Sequence, residues 1–259
     1  MSKDNPSHVS VDLVPLVEHI SPGHDLELAV VFTMLDDWYI YWQNPGDAGM
    51  ATFFEWQLPD GFELTSKQEP APVRHTEEGI TTFIHEEEAI YLFTLSTPAD
   101  LSSTVSIGLN VNWLECKSIC LSGSDTLKVV LPVSSNPPDL PLDLLELGMR
   151  ARSRMPRSEA KLTRSAKIDE DELTLRLNGF HQAVWDIRTI DFFPADELIY
   201  DISTPPELKS FLLSKRLILP LLPDREMNPG AIKGVLAIRP YAPKSAKTQY
   251  YYINRSIRD

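Results

Sequence analysis

Val105-Ser106-Ile107-Gly108-Leu109-Asn110-Val111-Asn112-Trp113 alternates apolar residues with small or polar ones and runs straight into Leu114-Glu115-Cys116-Lys117-Ser118-Ile119-Cys120. A period of two marks a strand with one buried face. Cys116 and Cys120 are the 2 cysteines of a 259-residue chain. Within one extended strand, residues four apart lie roughly 13 Å from each other. A disulfide needs Cα atoms about 4.4–6.8 Å apart. The two can therefore bond only if the chain reverses at Lys117-Ser118-Ile119, making a three-residue hairpin loop with the cysteines opposed.

Two thiols this close can staple the fold, share a metal or pass electrons. A ring this small stabilises by only about 2 kcal/mol in the loop-entropy picture, against nearly 5 for a 100-residue loop. The staple is thus a weak reason for the pair. Zinc wants four ligands, C-x3-C is not the usual C-x2-C knuckle, and the 6 histidines are scattered along the chain. Redox exchange gains weight by comparison. Glu115 disfavours an adjacent thiolate while Lys117 favours one, so the local sequence fits a thiol that becomes reactive on docking a partner.

Outward from this hairpin, residues 9–133 read as short strands at 9–16, 26–35, 38–42, 53–58, 62–66, 81–85, 89–95, 105–113 and 127–133. Turn formers separate them: Ser21-Pro22-Gly23-His24, Asn44-Pro45-Gly46-Asp47, Pro59-Asp60-Gly61 and Leu121-Ser122-Gly123-Ser124-Asp125. This spacing predicts a mainly β protein opening with an antiparallel sandwich. After the breaker Asn136-Pro137-Pro138-Asp139, residues 140–154 carry spaced leucines and three late arginines. That pattern predicts a short helix ended by Met155-Pro156. Residues 161–165, 173–177, 189–193, 198–202, 232–238 and 249–253 are strand candidates of a second, smaller β-rich domain, with 208–219 either a strand pair or a short helix. The expected division is 1–135, a linker with a short helix at 136–158, and 159–259.

A formal charge of −13 excludes the basic footprint that nucleic acid needs. Apolar runs are too short to span a bilayer, Leu217-Ile218-Leu219-Pro220-Leu221-Leu222 being the longest. Met1-Ser2-Lys3-Asp4-Asn5-Pro6 lacks the apolar core of a signal peptide. That fits a cytosolic protein or an excised mature domain.

Trp38-Tyr39-Ile40-Tyr41-Trp42 places Tyr39 and Tyr41 on one face of a strand and Trp38, Ile40 and Trp42 on the other. One face can pack while the other lines a site. Four motifs follow in order: this aromatic segment running into Asn44-Pro45-Gly46-Asp47-Ala48-Gly49; Trp56-Gln57-Leu58-Pro59-Asp60-Gly61; Pro70-Ala71-Pro72-Val73-Arg74; and Trp113-Leu114-Glu115-Cys116-Lys117-Ser118-Ile119-Cys120-Leu121-Ser122-Gly123. Together they resemble the amino-terminal periplasmic domain of the DsbD/ScsB group of transmembrane thiol:disulfide interchange proteins. The resemblance covers residues 9–133, and residues 160–259 look like the second β-domain of ScsB-like members.

The resemblance implies an immunoglobulin-like domain in the bacterial periplasm, an excised soluble part of a membrane-anchored protein. It implies a protein-disulfide reductase component with a Cys116/Cys120 redox pair. Cys120 would form mixed disulfides, and Tyr39, Tyr41 and Trp113 would surround the pair. Electrons would come from a membrane-embedded reductase domain or subunit and pass to thioredoxin-fold periplasmic proteins. Two sulfurs carry both electrons, so no cofactor and no metal is expected. Residues 77–86 (EEGITTFIHE) sit where the family has a cap loop, with Glu77, Glu78, Ile80, Phe83 and His85 as its candidate residues. The sequence departs from the family pattern twice. Asp37 stands in place of a glycine, and the cap stretch lacks Phe-Tyr-Gly, which leaves Ile80 or Phe83 to shield the sulfurs. Two readings stand beside the relay: a non-catalytic binding or chaperone-like module with a structural bridge, and a copper- or metal-handling module.

Overall fold

A computed structural model describes residues 7–101, 104–136, 140–158, 161–178, 186–196, 199–211, 214–223, 230–241, 243 and 246–257. The expected breaker at 137–139 and the N-terminal residues 1–6 lie outside these. The chain divides into two compact units, one of residues 1–43, 49–73 and 84–155, the other of residues 44–48, 74–83 and 156–259.

In chain order, strands β1 (Val9–Pro15), β2 (Leu26–Met34), β3 (Tyr39–Gly46), β4 (Phe53–Gln57) and β5 (Glu63–Gln68) are followed by β6 (Val73–Glu77), β7 (Ile80–Glu86), β8 (Glu88–Ser96), β9 (Thr104–Cys116) and β10 (Cys120–Pro132). One sheet has the order β1-β2-β8-β5; the other runs β10-β9-β3-β7-β6, with β4 also on β9. β3 borders β9 at Tyr39↔Cys116 and Ile40↔Glu115, and β4 takes over further down at Phe53↔Asn112 through Gln57↔Gly108. The alternation in β9 buries Val105, Ile107, Leu109, Val111 and Trp113. They form the sandwich interior with Val30, Phe32, Tyr91, Phe93, Leu26, Leu28 and Leu95. This is the expected mainly β, immunoglobulin-like sandwich.

Residues 121–125, which read as a turn, instead lie within β10 and pair with residues 115–111 of β9. The Ser-Gly-Ser-Asp composition imitates a loop, yet Gly123 is there for space. A Cβ on it would come within 2.1 Å of the Trp113 ring lying across it.

Helix α1 (Leu142–Arg154) has Asp143 in its first turn and Arg152 and Arg154 in its last, as the helix dipole favours. Leu147, Gly148 and Ala151 are its buried residues. Leu147 and Ala151 pack on Leu16, Ala29, Val31, Ile90 and Leu92. The segment expected as a linker over 136–158 thus carries a helix that belongs to the first unit's packing.

The second unit is smaller and again β-rich. Its sheets are built from β11 (Arg157–Ser158), β12 (Thr163–Asp169), β13 (Glu172–Leu177), β14 (Ile187–Pro194), β15 (Glu207–Phe211), β16 (Ser214–Pro220), β17 (Ala231–Pro240) and β18 (Gln249–Ser256), ordered β11-β18-β17-β14 and β12-β13-β16-β15. The 208–219 segment resolves into the strand pair β15–β16. Leu173, Leu175, Leu217, Leu219, Leu236 and Ile253 are among its core residues. The motif residues Asn44 and Arg74 are structural within this unit. Asn44 donates to the Pro194 carbonyl and accepts from the Gly46 N–H. Arg74 grips Asp191 with two N–H groups at 3.0 and 2.8 Å and donates to the Ile202 carbonyl.

Candidate redox site at the β9–β10 hairpin

The register opposes Cys116 to Cys120, and the Lys117 N–H donates to the Ile119 carbonyl inside the loop. Their Cα atoms are 4.2 Å apart and the sulfurs are disulfide-bonded. That distance is close to the ~4.5 Å of a non-hydrogen-bonded antiparallel pair, where side chains stand nearest each other. The two sulfurs differ in access. Cys116 is fully buried at 0% exposure, whereas Cys120 is exposed.

Cys116 lies on the face of β9 opposite the sandwich interior, and the tyrosines of β3 cover it. Tyr41 and Ile84 pack on Cys116, with Tyr39, Val73 and Leu114 around them. The Tyr41 hydroxyl donates to Cys116 Sγ at 3.3 Å and lies 3.9 Å from Cys120 Sγ. Burial pushes the Tyr41 phenol well above its ordinary range, and Tyr39 beside it pushes the same way. The hydroxyl therefore stays a neutral donor. Tyr39 stands edge-on to the Tyr41 ring at 5.6 Å. Gly49, at φ 113°, lies under the same ring, and a Cβ there would come within 2.2 Å of it. The glycine that closes the Asn-Pro-Gly-Asp segment is thus what lets Tyr41 reach the sulfurs.

Trp113 and Glu115 occupy the other, interior face of β9. Glu115 is a carboxylate at an apolar position, 2% exposed. Its Oε1 accepts the His8 backbone N–H at 3.0 Å and lies 3.2 Å from His8 Nδ1. Its Oε2 accepts the Ser7 hydroxyl at 2.9 Å and the Trp113 indole N–H at 3.0 Å. Burial pushes this carboxyl up, but the bonds from His8, Trp113 and Ser7 outweigh it and hold the group below the usual carboxylate range. His8 also stacks on Trp38 at 3.7 Å. Trp113 therefore borders the site through Glu115 and the strand, not by touching sulfur.

Lys117, in the hairpin loop, pairs with Asp37 at 2.9 Å and donates to the Asp36 carbonyl. Asp37 has φ 68°, the left-handed region that favours glycine and admits Asp. The aspartate side chain at this position supplies the partner for Lys117.

Residues 77–86 form the tip and second strand of the β6–β7 hairpin, turning at Glu78 and Gly79 with φ 51° and 84°. Positive φ at both positions suits the tight primed turn of a two-residue hairpin. Glu77, Glu78 and Ile80 are exposed. Phe83 is buried edge-on against Phe193 with the Arg74 guanidinium over its ring. His85, 1% exposed, stands edge-on to Tyr91 with Nε2 3.6 Å from Glu69. The side chain of this stretch that packs against the buried sulfur is Ile84, which the sequence reading passed over. It shares a face of β7 with Ile80, while Phe83 and His85 face the other way. Ser7, His8 and Glu115's buried role were also missed, since nothing in the local sequence announces a contact across more than a hundred residues.

Among the described residues, no group of three or more His, Cys, Asp or Glu could hold a metal ion, and no helix is long and apolar enough to cross a membrane.

Residues 10–132 match the family model of the N-terminal domain of the thiol:disulfide interchange protein DsbD. No curated protein sequence matches the chain. Among solved structures, the N-terminal periplasmic domain of ScsB from Proteus mirabilis superposes with a TM-score of 0.69 at 16% identity, covering 99% of this chain and 96% of that one. The reduced N-terminal domain of Neisseria meningitidis DsbD gives a TM-score of 0.29 at 12% identity, over 51% of this chain and 89% of that one. A hairpin-borne cysteine pair under a tyrosine, on this sandwich and within the family match, identifies residues 10–132 as a DsbD-type N-terminal domain and supports a thiol:disulfide interchange module.

Proposed function

We propose that this module works in the bacterial periplasm as a protein-disulfide reductase component. It would take electrons from a membrane-embedded reductase domain or subunit and hand them to thioredoxin-fold periplasmic proteins. The observation that carries this reading is the unequal access of two directly opposed sulfurs, Cys116 buried and Cys120 exposed.

On electron uptake, a donor thiolate attacks Cys120 Sγ. The Cys116–Cys120 bond breaks, and Cys116 leaves as a thiolate that takes up a proton. The donor's second thiolate then attacks its own sulfur in the mixed disulfide, freeing Cys120 and leaving the donor oxidised. On delivery, the Cys120 thiolate attacks the acceptor disulfide and releases one acceptor thiolate. Cys116 loses its proton and attacks Cys120, re-forming the pair and releasing the second acceptor thiol. Two electrons move in each direction and no cofactor takes part. Tyr41 supplies a hydrogen bond to the sulfur that leaves, and Ile84 and Tyr41 keep Cys116 from adventitious oxidants.

Cys120→Ser tests this. The variant should fold as the parent does, since the bridge closes only a small ring. It should transfer no electrons to an oxidised thioredoxin-fold acceptor. A parent protein that transfers none either, together with a variant that fails to fold, would assign the bridge to structure alone.

A further inference from the structure

β9 presents a buried, ionised carboxylate and a buried sulfur on consecutive residues, one to each face of the strand. Glu115 sits where the alternation of β9 calls for an apolar side chain, and Ser7, His8 and Trp113 satisfy both its oxygens. A buried carboxylate is costly unless so compensated. The donors Ser7 and Trp113 are neutral, and so is the His8 backbone N–H, so they hold the negative charge without cancelling it. The His8 ring is the only group among them that can become cationic. On the other face, Cys116 meets Tyr39, Tyr41, Ile84, Val73 and Leu114, with the Tyr41 hydroxyl as its polar partner. No cation faces that sulfur among these residues. Cys120, across the ladder, is exposed and shares its loop with Lys117, whose ammonium pairs with Asp37.

We propose that Glu115 is a positioning residue: its buried charge, held behind β9 by Ser7, His8 and Trp113, keeps Cys116 as a thiol while Cys120 ionises, and so fixes which sulfur attacks. The inference rests on the exchange chemistry proposed above and adds a cause for its direction. A fixed negative charge next to Cys116 disfavours a second one there, and burial of the sulfur acts in the same sense. Cys120 is exposed, so burial does not act on it and solvent screens it from the same charge. After Cys120 has bonded to the acceptor, Cys116 must ionise against the Glu115 field before it can resolve the intermediate. The mixed disulfide therefore persists long enough for the partner to be productively oriented.

The test uses the ultraviolet absorbance of thiolate against pH in the isolated protein. It reads ionisation independently of how easily a reagent reaches the sulfur. In Cys120→Ser, Cys116 should titrate at higher pH than Cys120 does in Cys116→Ser. Adding Glu115→Gln or Glu115→Leu to Cys120→Ser should lower the Cys116 midpoint by about one pH unit, a tenfold change in ionisation. Glu115→Asp, which keeps the charge, should hold the midpoint near that of the parent. Midpoints equal for the two cysteines, or a Cys116 midpoint unmoved by both charge-removing substitutions, would overturn the proposal. If neither substitution folds, Ser7→Ala decides. In that variant the charge loses one of its donors, so the carboxyl should protonate at higher pH and Cys116 should titrate still above Cys120 in Cys116→Ser; a Cys116 midpoint at or below that of Cys120 overturns the proposal. These titrations need no partner, so their failure would leave the transfer test of Cys120→Ser standing.

Discussion

The two faces of β9 beside the hairpin make opposite use of buried polarity. The interior face spends four contacts, from Ser7, His8 and Trp113, on one carboxylate. The outer face gives the buried sulfur of Cys116 an apolar cover and one hydroxyl, that of Tyr41. A fully compensated polar group holds its place and rigidifies what surrounds it. A lightly partnered sulfur remains free to trade its bond. The contrast teaches that the reactive face is kept sparse while the face behind it carries the fixing bonds.

The interior face can be broken most severely at Gly123. Its Cα faces the Trp113 ring so closely that any side chain must displace the ring that donates to Glu115. Gly123→Val should cost about 2–3 kcal/mol, in the range of other overpacked cores, read by denaturant unfolding of the oxidised protein. An unchanged midpoint would mean that Trp113 moves freely and that Glu115 is not held as described.

A smaller effect comes from acid, and the sign follows from two groups. The folded-state His85 is held below its ordinary 6.5, chiefly by burial, with Glu69 pulling the other way. A depressed folded value means the unfolded chain binds the proton more readily. The His85 contribution is therefore full above about pH 6.5 and is lost as pH falls below that value. Glu115 is likewise held below its ordinary 4.5: burial raises it, but the bonds from His8, Trp113 and Ser7 prevail. Its contribution is full above its unfolded value and is lost as pH falls through the folded one. Stability should thus decline in two stages on acidification. His85→Phe should flatten the upper stage and Glu115→Leu the lower, as measured by unfolding at a series of pH values. Loss of both stages in either variant alone would show that the two sites are one coupled network.

Much of this was legible in the sequence because it rests on short-range alternation. The strand at 105–113, the chain reversal at Lys117-Ser118-Ile119 and the division of Tyr39 and Tyr41 from Trp38 and Ile40 all follow from a period of two, and the structure has each of them. Residues 121–125 misled because Gly123 carries the composition of a turn for a steric reason that lies across the ladder in Trp113. Ile84 escaped notice because five consecutive buried residues in β7 hide which face is which. The link from Ser7 and His8 to Glu115 spans 108 and 107 residues, and no local pattern encodes a pairing of that range.

The central claim is that Cys116–Cys120 is a working couple and not a staple, and its reduction potential tests that most directly. Equilibration of the whole chain with a thiol redox buffer should give a potential above about −300 mV, within reach of thioredoxin-fold partners. A value well below about −300 mV, the range of inert structural bridges, would contradict the account.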